Sequence, residues 1–157
     1  RASSPRYAAL MQPEPLTLAQ MQADVLDGDT LLLEYFLGSE RSYLWAVTKD
    51  ALTTYELPGR AEIEAAARRF YDLLSTHETG AELQRSARAL SDMVLAPVAD
   101  RLQNRRLAIV ADGALHYVPF AALPEPRLAI TDARPQPLIV DHEIVSLPSA
   151  SAAGLLR

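Results

Sequence analysis

The sequence predicts an α/β fold: an antiparallel β-meander, then two amphipathic helices, then an α/β layer. Residues 31–57 hold three runs of apolar, β-branched and aromatic residues separated by gaps of hairpin length. Residues 60–102 instead place apolar side chains at helical spacing, and LAIV, residues 107–110, is a short continuous apolar run that suits a strand buried on both faces. Strands and helices alternate in the second half, which argues for parallel pairing there. With 157 residues, 49% of them apolar, the chain can bury a core of ordinary size as one unit, 1–157.

Residues 1–16, with Pro13 and Pro15, read as a leader or linker, and residues 17–57 as a helix plus the meander. Thr17 caps a short pattern in which Leu18, Met21, Val25 and Leu26 share a face, and Asp27-Gly28-Asp29 ends it. The meander runs Leu31 to Leu37, Tyr43 to Thr48 and Leu52 to Leu57, joined by GSER and KDA. Helices fill 58–103. One places Ile63, Ala66, Phe70, Leu73 and Leu74 on a face, the next Leu83, Ala87, Leu90 and Val94. Pro97 lacks an amide hydrogen and crowds the preceding turn, so Val98 to Leu102 is expected to be a separate turn. Residues 104–157 read as strand, loop, strand and helix start. EPRLAITDARPQP is expected on the surface, and PLIVDHEIVSLP as a last strand or strand pair with Ile139, Asp141 and Glu143 alternating against Val140, His142 and Ile144.

The totals narrow the function classes. A net charge of -5 with interspersed signs gives no basic stripe for phosphates, so nucleic acid is not an expected partner. No long apolar run suggests a membrane span, and RASSPRYAAL does not have the form of an export signal; a cytoplasmic location is expected. Zero cysteines exclude disulfides, thiolate metal sites and a cysteine nucleophile within these residues. The chain starts at Arg1 and stops just past LPSASAAG, where a helix is beginning, and is therefore read as part of a longer polypeptide.

The stretch IVADGALHYVPFAALP invites an active-site reading. Asp112 and His116 could pair as acid and base, because a carboxylate can orient and charge-stabilise an imidazole. Turn chemistry explains the same residues more simply. Gly113 tolerates positive φ, Asp112 can bond nearby backbone, Pro119 stops strand pairing, and Tyr117, Phe120 and Leu123 can pin the loop to the sheet. Asp141 and His142 are strand neighbours that point to opposite faces, and His77 fits an interaction with a helix C-terminus. In LPSASAAG the strained Gly-x-Ser-x-Gly elbow is missing, so capping explains Ser149 or Ser151 better than nucleophilic chemistry. Trp45 and Tyr43 read as packing residues. No catalytic, cofactor-binding or metal-ligating residue is assigned, and no cofactor is implied.

Together these pieces resemble a known family. The run from Leu31 to Leu74, then LAIVADGALHYVPFAALP, then PLIVDHEIVSLPSAS, resemble from about Ala8 onward the N-terminal half of the CHAT domain, a caspase-like module. The most specific parts are the Asp112-Gly113 turn, the pattern of Leu115, Pro119, Phe120, Ala122 and Leu123, and the helix-opening Pro148, Ser149, Ala150 and Ser151. The resemblance implies a partial, caspase-like domain of a cysteine peptidase of the caspase and separase type, found in bacteria behind tetratricopeptide repeats. There a His-Gly and a later Cys form the dyad. None of His77, His116 or His142 precedes a glycine, so no family catalytic residue transfers, and this chain is expected to be inert. The expected partners are the C-terminal half of the same CHAT domain, upstream tetratricopeptide repeats and, through an exposed apolar face, a second copy. Two rivals stand: an interaction or sensor scaffold with a decayed dyad, and a serine hydrolase built from Ser149 or Ser151 with His116 and Asp112.

Overall fold

The computed structural model describes residues 15–77, 79–126 and 136–153. Most of the 1–16 leader and the centre of the loop from Glu125 to Pro137 lie outside the described residues.

The first helix is shorter than its pattern implies. Thr17 and Gln20 form a capping box, the Thr17 hydroxyl accepting from the Gln20 amide at 3.2 Å and the Gln20 side chain accepting from the Thr17 amide at 2.9 Å. Helix α1 (Leu18–Gln20) then widens into a π turn, Met21–Val25, closed by the Leu26 amide donating to the Met21 carbonyl at 3.0 Å. That five-residue step buries Met21 and Leu26 together and leaves Leu18 exposed, so the expected common face is broken.

The meander forms as expected, with its first two strands one residue early: β1 (Thr30–Phe36), β2 (Ser42–Val47) and β3 (Leu52–Leu57), paired antiparallel. Strand β4 (Arg106–Val110) lies parallel to β1, and β5 (Ile144–Leu147) lies parallel to β4. The order is β3-β2-β1-β4-β5. Apart from Arg106 at its start, β4 is buried along its length, as its continuous apolar run requires.

Helices α2 (Arg60–Ser75) and α3 (Ala81–Val94) cover one face of the sheet. Ile63, Ala67 and Phe70 of α2, and Ala87, Leu90 and Val94 of α3, pack on Leu31, Leu33, Tyr35, Leu44, Leu107 and Ile109. Ala67 is more deeply buried than the expected Ala66, which with Leu74 packs partly buried against the core, and Leu73 is half-buried at the helix end. His77 follows that end with φ +56 and is exposed, so it serves as a left-handed terminator. Pro97 sits in a 3-10 turn, Ala96–Val98, ahead of the short helix α4 (Ala99–Leu102), which is the break that proline dictates.

The opposite face is covered less completely. Leu32, Val47, Ala108, Val110 and Leu147 lie under Met21, Leu26 and Ala150, the last from helix α5 (Ala150–Ala153).

The last strand corrects the sequence reading. Leu138–Val140 is a 3-10 turn, and strand structure begins only at Ile144. Leu138 is anchored by its amide to the Leu123 carbonyl, and Val140, Asp141 and His142 donate back to Pro137 and Leu138, so the backbone turns before it can extend. Ile139 and Val140 consequently face solvent, at 64% and 58% exposure. No helix among the described residues is long and apolar enough to cross a membrane.

Candidate functional site

The Asp-Gly turn lies beyond the carboxyl end of β4, beside the carboxyl end of its parallel neighbour β1, a position where open α/β sheets place their sites. What the turn does there is mechanical. Asp112 Oδ2 accepts from the Leu37 amide at 2.8 Å and stands 3.5 Å from Arg60 Nη2. The same guanidinium donates to the Leu37 carbonyl and, through Nη1, meets Glu64 Oε1 at 3.2 Å. Glu64 is held in turn by Arg68 at 2.7 Å. Both backbone groups of Leu37 thus end on side chains, which is why β1 stops pairing at Phe36.

Gly113 is required by this cluster. Its φ is +55, and a β-carbon there would lie 2.7 Å from Glu64 Oε1 and 3.0 Å from Arg60 Nη1. With its carboxylate committed to Leu37 and Arg60, Asp112 does not serve His116, which lies exposed on the following 3-10 turn, Gly113–Tyr117.

The loop is pinned from both sides. Leu115, Val118, Phe120 and Leu123 are buried, and the Phe120 ring lies 5.6 Å from that of Tyr35. Tyr35 donates its hydroxyl to the Val94 carbonyl at 2.8 Å, and burial raises its pKa, keeping it a neutral donor. Ser91 Oγ donates to the Pro124 carbonyl at 2.6 Å, tying the loop to α3. Tyr117 was expected among the anchors and is not one: it is 70% exposed, edge-on to Tyr71 at 6.3 Å, because the 3-10 turn swings Val118 inward instead.

The serines cap and tie. Ser149 Oγ accepts from the Ala152 amide at 3.2 Å, the N-cap bond expected of it after Pro148, and Ser151 Oγ accepts from the Leu16 amide at 3.1 Å. Asp141 is exposed and His142 buried, so the two do point apart, although in a turn rather than the expected strand. His142 Nδ1 lies 2.9 Å from the Arg105 carbonyl and Nε2 lies 3.6 Å from Glu125 Oε1. Among the described residues no three His, Cys, Asp or Glu side chains converge as a metal site would require.

One group escaped the sequence reading. Glu34 lies mid-strand in β1 with Trp45 beside it, and Phe36 and Tyr43 form the next pair along. Period-two alternation in LLLEYF placed Glu34 on a face with Leu32 and Phe36, and that signal was available.

The CHAT domain family model matches residues 84–157. Over those residues the chain is similar to a CHAT domain. The CHAT match begins inside α3 and takes in α4, β4, the pinned loop, β5 and α5, while the meander and α2 lie outside it. The CHAT family is a caspase-like, peptidase-associated one, in keeping with the mixed sheet seen here. No curated protein gives a significant match to the chain.

Proposed function

We propose that this chain is a non-catalytic N-terminal subdomain of a CHAT-type cysteine peptidase and scaffolds a dyad-bearing half outside these 157 residues. The observation that carries the reading is the CHAT match falling on a stretch with no cysteine and no His-Gly pair. Two further observations support it. Among the described residues strand β5 is an edge strand able to accept another parallel neighbour, and Ile139 and Val140, just before it in sequence, expose apolar surface that a second half would cover. In this reading the partners are that second half and upstream tetratricopeptide repeats of a cytoplasmic bacterial protein.

The test is reconstitution. The dyad-bearing half, expressed alone and with this chain, is assayed on a fluorogenic peptide library. Cleavage only in the mixture is the expected result; full activity without this chain, or cleavage by this chain alone, would sink the reading. A complex that forms yet never cleaves would favour the second reading, a sensor scaffold without peptidase activity, for which the open aromatic face of the meander speaks.

A further inference from the structure

One half of the sheet's second face has no cover among the described residues. Leu32 and Val47 sit beneath Met21 and Leu26, but two residues further along β1 that cover ends and Phe36 is 50% exposed. Here three rings make one surface. Phe36 and Trp45 lie 6.4 Å apart and tilted; Tyr43 and Trp45 lie 6.4 Å apart with planes 16° from parallel.

Within this surface sits a carboxylate. Glu34 is half-buried between Trp45 on β2 and Val110 on β4, and no donor among the described residues bonds it. Burial raises its pKa and nothing offsets that effect, so ionised Glu34 is a cost to the isolated fold. A glutamate in the centre strand is a poor choice for packing alone. It becomes a good one when a cation arrives, since the carboxylate regains a partner and the ring faces attract the same charge.

We propose that this open half of the sheet, Phe36, Tyr43 and Trp45 around Glu34, docks a polypeptide segment presenting an arginine between apolar side chains. Arginine fits better than lysine because its planar guanidinium can stack on a ring and fork onto a carboxylate at once. A second copy fits worse: a two-fold face-to-face pairing centred on Glu34 would set it against its own mate, and like charges repel. The inference is independent of the dyad-bearing half and holds whether or not that half exists.

Trp45 is the only tryptophan in the sequence, so its emission reports from the site itself. The probe is the acetylated, amidated peptide Ala-Leu-Arg-Leu-Ala, titrated beside its citrulline counterpart, which keeps the shape and loses the charge. A saturable emission change is expected, with affinity about tenfold weaker for citrulline and comparably weaker for Glu34→Gln. Equal binding of the two peptides, or no saturation up to millimolar peptide, would overturn the proposal. So would a concentration-dependent dimer that shifts Trp45 emission without peptide, which would assign the surface to a second copy. Should Glu34→Gln fail to fold, the citrulline comparison on the unaltered protein decides alone.

Discussion

Replacing Asp112 separates a clamp from a catalyst. The Leu37 amide donates to a charged oxygen at 2.8 Å, and a hydrogen bond to a charged group contributes about 1.5–3 kcal/mol, here about 1.5 because Asp112 is 35% exposed. The ion pair with Arg60 is partly exposed at both ends and contributes about 0.5 kcal/mol. Asp112→Ala is therefore expected to cost about 2 kcal/mol, lowering Tm by about 4–8 °C for a chain of this size. Asp112→Asn keeps an acceptor for Leu37 and loses the charge, so about 1 kcal/mol is expected. The assay is urea unfolding followed by Trp45 fluorescence, with Arg60→Ala and the double variant completing a cycle whose coupling should be about 0.5 kcal/mol. An Asp112→Ala protein within about 0.3 kcal/mol of the parent would refute the clamp.

Three other outcomes are expected. Tyr35→Phe keeps the ring against Phe120 but strands the Val94 carbonyl at the end of α3, and should cost about 1–2 kcal/mol in the same urea assay; no loss would mean that water replaces the hydroxyl. Glu34 has a raised pKa, so the folded chain keeps its proton to higher pH than the unfolded chain does, and stability falls as pH rises from about 4.5 through the raised value. Glu34→Gln should therefore match the parent near pH 3 and exceed it at neutral pH, and a stability difference that did not change with pH would contradict the assignment. Because Ser149 and Ser151 accept backbone amides, neither should label with a fluorophosphonate probe, and mass-detected labelling at either one would restore the serine hydrolase reading.

Much of the fold was legible because its signals are local. The three short runs of the meander, the continuous apolar β4 and the amide lost at Pro97 each dictate structure within a few residues. What escaped depends on partners far away in sequence. Tyr117 looks like an anchor until the 3-10 turn gives that place to Val118, and Ile139 and Val140 look like strand until Leu123, fifteen residues upstream of Leu138, captures the Leu138 amide. The π turn is a subtler case, since i→i+5 bonding changes which residues share a face. Asp112 and Gly113 were recognisable as a turn, but the role of Arg60 and Glu64 in closing it was not, because nothing in their helical pattern marks which exposed charges face the sheet. Glu34 was visible as a charge in an apolar run; only the register with Trp45 and Tyr43 shows what surrounds it.

The central claim is that these residues support a peptidase centre that they do not contain. Titrating this chain into a fixed amount of the dyad-bearing CHAT half, while following cleavage of a fluorogenic peptide, tests it most directly. The account predicts a rate that rises and saturates near one equivalent, with Asp112→Ala shifting the curve to higher concentration. A rate independent of the added chain, or cleavage by this chain alone, would contradict it.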